Sequence, residues 1–169
     1  MQLCKCCRVS SVHIRPALSS DAPAILSLIH ALALYEKQPE AVEVCVETLA
    51  ADLSAESPPF ECVLALDGAE AVAFALFFQT YSTWRGRSGM WLEDLFVLPE
   101  RRGKGIGKSL LSHLAALAVT RGYARFEWSV LDWNEPAIRF YESVGAKAME
   151  EWTTHRVDGH ALITLAGGR

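Results

Sequence analysis

Arg101, Arg102, Lys104 and Lys108 place four of the chain's sixteen lysines and arginines within eight positions, interleaved with Gly103, Gly105 and Gly107. Glycines in such a run let backbone N–H groups approach an anion without Cβ obstruction, and the basic side chains add charge-assisted hydrogen bonds. A helix opening at this point would turn its unpaired N–H groups and the positive end of its dipole on the same anion, which suits phosphate. The alternative is a glycine-rich turn with solvated charges. Two nucleotide patterns are excluded by spacing. Gly-x-x-x-x-Gly-Lys-Ser/Thr is absent, and Gly-x-Gly-x-Gly is not the dinucleotide fingerprint, which also needs a βαβ setting.

The elements that must position this loop can be read from periodicity. Val12 to Pro16 alternates as a first strand, and Ile25, Leu28, Ile29 and Leu32 recur at helical spacing, ending near Tyr35-Glu36. A second helix runs from about Val46 to Ala55. Phe60 to Leu66 and Ala71 to Tyr81 are apolar runs joined at Asp67-Gly68, a hairpin, and Met90 to Val97 is a further strand closed by Pro99. The glycine loop follows, and then a helix carrying Ile106, Leu110, Leu114, Leu117 and Ala118 on one face, ending at Gly122. Arg125 to Val130 reads as a strand. Asn134-Glu135-Pro136 opens a helix with Ala137, Phe140, Tyr141 and Val144 on one stripe, stopped by Gly145. Ala146 to Leu165 reads as two more strands turning at Asp158-Gly159. The expectation is an α+β domain over residues 12–169, with about seven mostly antiparallel strands and about four helices, preceded by a flexible extension over residues 1–11.

The totals agree with a soluble globular protein of one domain. The 169 residues are 51% hydrophobic and 21% charged, with a net charge of −4, which argues against nucleic acid as the main ligand. The longest apolar run, Ala71 to Phe78, has eight residues where a membrane span needs roughly 18. No signal peptide is read at the N-terminus, and the five cysteines are odd in number, so reduced thiols in the cytoplasm are expected. Cys4-x-Cys6-Cys7 supplies three thiols without a fourth ligand at zinc spacing, and His30, His113 and His155 are scattered, so no metal is expected.

Arg102-Gly103-Lys104-Gly105-Ile106-Gly107 resembles the Gln/Arg-x-x-Gly-x-Gly/Ala pyrophosphate loop of the GNAT acetyltransferases, and lies where that family has it, between the fourth strand and the third helix. Asn134 to Glu142, followed by Gly145-Ala146, resembles the family's Asn-x-x-Ala-x-x-Phe-Tyr segment. The resemblance spans roughly Val12 to Leu165. Tyr35-Glu36, Tyr81, Trp84, Trp91-Leu92-Glu93-Asp94 and Trp133 to Pro136 resemble the diamine (spermidine/spermine) and thialysine N-acetyltransferases. One departure is Ser82-Thr83-Trp84-Arg85, where such enzymes tend to carry an acidic residue before the tryptophan. That, with Arg85 and Arg87, disfavours a long polycation.

The resemblance implies acetyl-CoA as co-substrate and a small-molecule amine as acceptor. It assigns the diphosphate to Arg102, Gly103, Lys104, Gly105, Ile106, Gly107 and Lys108, and backbone contacts with the acetyl and pantetheine portions to Leu95, Phe96 and Val97. Asn134 and Pro136 are further cofactor contacts, with helix capping sufficient by itself to explain Asn134. An amine resembling lysine has a pKa of about 10.4 and must lose a proton before it attacks. Glu93 is the expected proton acceptor, with a solvated or salt-bridged Glu93-Asp94 pair as the alternative. Tyr35, Glu36, Trp84, Glu93 and Asp94 would line the amine pocket through carboxylate pairing and cation–π contact. Tyr141 would protonate the leaving thiolate, although its helical stripe also suits packing. A homodimer is implied by resemblance alone. The rival readings are a GNAT enzyme acting on a protein or antibiotic amine, and a non-catalytic acyl-CoA sensor.

Overall fold

The computed structural model describes residues 12–167, so the extension expected over residues 1–11 lies outside the described residues. The chain divides into two units, the first ending at Ser129 and the second beginning at Val130.

In the first unit β1 (His13–Pro16), β2 (Glu61–Asp67), β3 (Glu70–Ser82), β4 (Arg87–Val97) and β5 (Phe126–Trp128) form one sheet in sequence order. All neighbours are antiparallel except β4 and β5. That parallel pair needs a crossover, supplied by α3 (Ile106–Thr120). The β2–β3 turn is the one read from Asp67-Gly68: Asp67 pairs with Glu70, and Gly68 takes a φ of +65° in the first turn position. Helices α1 (Ala22–Tyr35) and α2 (Val46–Ser54) lie between β1 and β2.

Helices α1 and α2 cover one face of the sheet. Ala22, Ile25, Leu28 and Leu49 pack there with Cys62, Leu64, Phe74, Leu76 and Phe96. The alternate residues Val63, Ala65, Ala73, Ala75 and Phe77 are buried as well, as are Ile106, Leu110, Leu111, Leu114 and Ala118 of α3. Because both faces of β3 are covered, Val72 to Phe77 is a continuous apolar run and does not alternate. Each large side chain fully buried there stabilises the fold by about 1.5–3 kcal/mol. Arg15 grips Asp21 with two hydrogen bonds of 2.6 and 2.8 Å and so ties β1 to the start of α1. The guanidinium holds the Asp21 carboxyl below its ordinary range.

The second unit contains α4 (Glu135–Ser143) and α5 (Gly159–Leu165). The strand count is corrected here: among the described residues there are five strands and five α-helices, and residues 146–165 form no hairpin. Trp152 to Val157 has strand-forming composition, but a strand is stabilised only by a ladder partner. Ala161, Leu162 and Leu165 also recur at helical spacing, and α5 satisfies its own backbone, with Leu162 N–H donating to Asp158 C=O at 3.1 Å. The α+β class stands.

Candidate active site

Pro99 ends β4, and a 3-10 turn over Pro99–Arg101 leads to the glycine loop. Gly103 and Gly105 have φ of +73° and +81°, the left-handed region that glycine enters without cost, and a Cβ at either would meet nothing within 4 Å. The space above the loop is therefore open. Gly105 occupies the N-cap position of α3 with no side-chain cap, and the first helical bond runs from Ser109 N–H to Gly105 C=O at 2.9 Å. The N–H groups of Ile106, Gly107 and Lys108 precede that bond and have no intrahelical acceptor.

The basic residues divide into two groups. Arg101 turns to the β2–β3 hairpin and pairs with Asp67 at 2.7 Å and Glu70 at 2.6 Å, so its charge is spent on the fold. Arg102 donates from Nε to Val97 C=O at 2.9 Å, and its guanidinium carbon lies 4.6 Å from the centroid of the Tyr35 ring and 5.4 Å from that of Phe96. Lys104 and Lys108 are exposed. Lys104 Nζ makes a long contact with Glu100 C=O at 3.5 Å; glycine conformation, an uncapped helix N-terminus and the remaining donors of Arg102 and Lys108 together fit a diphosphate.

Strand β4 carries the other half of the site. Leu76 faces Asp94 while the next residue, Phe77, faces Leu92, so Glu93 is the extra residue of a β-bulge. Directly opposed residues share a face, which puts Asp94 beside Leu76 on the side covered by α1. Glu93 is exposed and accepts the Trp91 indole N–H at 2.8 Å. Burial raises the Asp94 carboxyl to about 6, and the charges of Glu93 and Glu36 push in the same direction. Burial also raises Glu36. That residue sits where α1 ends, just before Lys37 enters the left-handed region at φ +63°, a conformation uncommon outside glycine. Glu36, Glu93 and Asp94 thus form a partly desolvated acidic patch, a setting that suits an ammonium group. Beyond Leu92 no strand pairs with the β5-facing edge of β4 among the described residues, since β5 matches only Met90 to Leu92. The backbone of Leu95, Phe96 and Val97 lies along that stretch.

Trp84 does not join the patch. It lies in the β3–β4 turn, 91% exposed, and Arg87 to Glu93 spans about 20 Å of strand. In the second unit Asn134 is 9% exposed and its side chain accepts from Ala137 N–H at 3.4 Å, so it caps α4 with Pro136 in the first turn. Tyr141 is half-buried, its ring centroid 5.4 Å from that of Phe140. The sequence reading missed the contact between Tyr35 and Arg102 and the Arg101 ion pairs, because these partners are far apart in the chain. Glu93-Asp94, two successive charges between the apolar runs 90–92 and 95–97, is the available signal for the bulge. Among the described residues no group of three or more His, Cys, Asp or Glu is placed to hold a metal ion, and Cys4, Cys6 and Cys7 lie outside them.

Comparison with known proteins agrees with this geometry. The model of the acetyltransferase (GNAT) family matches residues 26–146. A thialysine N-epsilon-acetyltransferase from Sus scrofa is 38% identical over 94% of this chain and 99% of its own length. An L-ornithine N5-acetyltransferase from Arabidopsis thaliana is 41% identical over 71% of this chain and 54% of its own. Among solved structures, an integron cassette protein from the mobile metagenome of V. cholerae superposes with a TM-score of 0.79 and 29% identity, covering 92% of this chain and 98% of that one. By the glycine loop, the strand that precedes it and the extent of these matches, the chain belongs to the GNAT acetyltransferase family.

Proposed function

We propose that this N-acetyltransferase moves the acetyl group of acetyl-CoA to a primary amine of a small molecule, a short diamine or lysine-like amino acid, by direct attack on the thioester. The observation that carries the reading is the single strand β4, with the acidic patch at its bulge and the open glycine loop just past its end. Bound acetyl-CoA supplies an activated carbonyl. Arg102, Lys104, Lys108 and the N–H groups of residues 103–108 hold its diphosphate, and the free edge of β4 at Leu95, Phe96 and Val97 receives its pantetheine arm. Asn134 and Pro136 add cofactor contacts at the start of α4.

Glu36 and Glu93 hold the acceptor ammonium. The sequence reading gave the proton-accepting role to Glu93; we shift it to Asp94, whose burial and titration near 6 suit a base working at neutral pH. The nitrogen lone pair then forms the C–N bond as the C–S bond breaks, Tyr141 Oη gives its proton to the departing sulfur, and the second proton of the original ammonium leaves the new amide nitrogen to restore the phenol. Relatives named for thialysine and L-ornithine support an acceptor with an amino-acid end, and Arg85 and Arg87 disfavour a long polycation.

The reading includes a cytoplasmic homodimer: no helix among the described residues is long and apolar enough to cross a membrane, Cys45 and Cys62 are free thiols, and Tyr81 and Trp84 present aromatic surface at the hairpin tip. The test is release of free thiol from acetyl-CoA with diamines, polyamines, lysine analogues and peptides. Turnover of a small amine is expected. Tight cofactor binding with no thiol release from any acceptor would leave a sensor, and turnover of peptides alone would move the acceptor to proteins.

A further inference from the structure

Tyr35 closes α1, and the sequence alone places it with the acceptor amine. Its ring instead lies against the guanidinium of Arg102, 4.6 Å from centroid to guanidinium carbon, with Phe96 contributing a second aromatic contact at 5.4 Å. The one hydrogen bond this guanidinium makes among the described residues uses Nε, to Val97 C=O at 2.9 Å. Two rings and a carbonyl thus fix the plane of the group while Nη1 and Nη2 keep their donors. A long exposed side chain is otherwise free to sample many rotamers, and that freedom is lost when it grips a ligand.

We infer that Tyr35 is a positioning residue for the nucleotide end of the cofactor: it pre-orients Arg102 for a diphosphate and contributes to cofactor affinity rather than to acceptor recognition. The inference rests on the proposed binding of acetyl-CoA at the glycine loop. It extends the cofactor site from the loop to the end of α1, an element that the loop pattern does not include. Ring character is what matters, because the contact is between the cation and the aromatic face.

Titration calorimetry with CoA, which needs no turnover, tests this on the full chain. Tyr35→Leu is expected to weaken CoA about three- to tenfold, the effect of losing one cation–π contact, and Tyr35→Phe to bind as the parent does. In an Arg102→Ala background Tyr35→Leu should have no further effect, since its partner is already gone. Acetyl-pantetheine, which lacks the diphosphate, should bind all variants alike, and the acceptor KM at saturating acetyl-CoA should not move. Thermal melts identify any variant that fails to fold, in which case Tyr35→Met takes the place of Tyr35→Leu. Equal CoA affinity for Tyr35→Leu and parent, additive losses in the double variant, or a raised acceptor KM would each overturn the inference. If Arg102→Ala itself bound CoA like the parent, the loop assignment would fall instead, which separates the two.

Discussion

The two ends of the active stretch of β4 treat charge in opposite ways. At the bulge three carboxylates lie close together, and the innermost, Asp94, is raised to about 6 by burial. About 10 Å further along, past Val97, the cations of the loop remain exposed and the backbone opens outward. A buried charge is penalised, so the base proposed at the bulge is held at the expense of stability. An exposed cation keeps its charge and can meet an anion from solvent, but contributes little to the fold. Proton transfer needs the first arrangement and diphosphate binding the second. Arg101 shows the difference between neighbours: paired with Asp67 and Glu70 it serves the fold, while Arg102 retains donors for a ligand.

In the proposed reaction the departing thiolate takes its proton from Tyr141 and from neither patch, and this is where the largest effect is expected. A phenol with a pKa near 10 stays protonated at neutral pH, and loss of a general acid typically costs 10²–10⁴-fold in rate. Tyr141→Phe should lower kcat by about that factor with acetyl-CoA affinity unchanged, as steady-state kinetics and calorimetry would show. A near-parent kcat would return Tyr141 to the packing role that its contact with Phe140 also supports.

The basic patch is the next to test. Arg102→Ala should weaken acetyl-CoA by about 1.5–3 kcal/mol, the range for hydrogen bonds to charged groups, and leave acetyl-pantetheine unaffected. Arg101→Ala should instead lower the melting temperature and barely change affinity, because its partners belong to the β2–β3 hairpin. Similar affinity losses from both would erase the distinction between them.

The acidic patch sets a smaller effect, on acceptor choice. Three carboxylates attract any amine, but a polycation long enough to extend from them towards the β3–β4 turn would meet Arg85 and Arg87, with no negative charge at Ser82. Short diamines and lysine-like amino acids should therefore exceed spermine in kcat/KM by several-fold, on the order of one like-charge contact. Spermine ranked first in such a series would show that the arginines lie away from the bound acceptor.

The parts of this architecture that were legible in the sequence are the local ones. The Asp67-Gly68 hairpin, the helix opening at Ile106 and the Asn134 cap each depend on a few adjacent residues, and each lies where its pattern puts it. The terminal hairpin was misread because a strand depends on a partner that local alternation does not reveal, while α5 needs only its own backbone. The placement of Tyr35 against Arg102 and the burial of Asp94 arise from the packing of α1 on the sheet face that carries Leu76 and Phe96, to which no window of sequence refers. Resemblance and residue type group Trp84 with Glu36; strand length sets them apart.

Asp94 offers the smallest and most direct measure of what the acidic patch costs the fold. An ordinary aspartate titrates near 3.8, as this one does when the chain is unfolded, whereas in the folded protein it titrates near 6. Between those values the native state keeps a proton that the unfolded chain has released, so stability declines as pH rises through that window. Above 6 the folded protein carries a charged, half-buried carboxylate, a penalty on the order of 3 kcal/mol. Asparagine has similar shape and cannot ionise. Asp94→Asn should therefore match the parent's melting temperature near pH 4 and exceed it near pH 8, at about 2–4 °C per kcal/mol for a chain of this size. The same substitution should lower the rate and abolish its rise with pH through about 6, whereas Glu93→Gln should keep that rise. A stability difference independent of pH would mean that the Asp94 carboxyl is not held in its raised state by the fold, and the base would then have to be sought at Glu93.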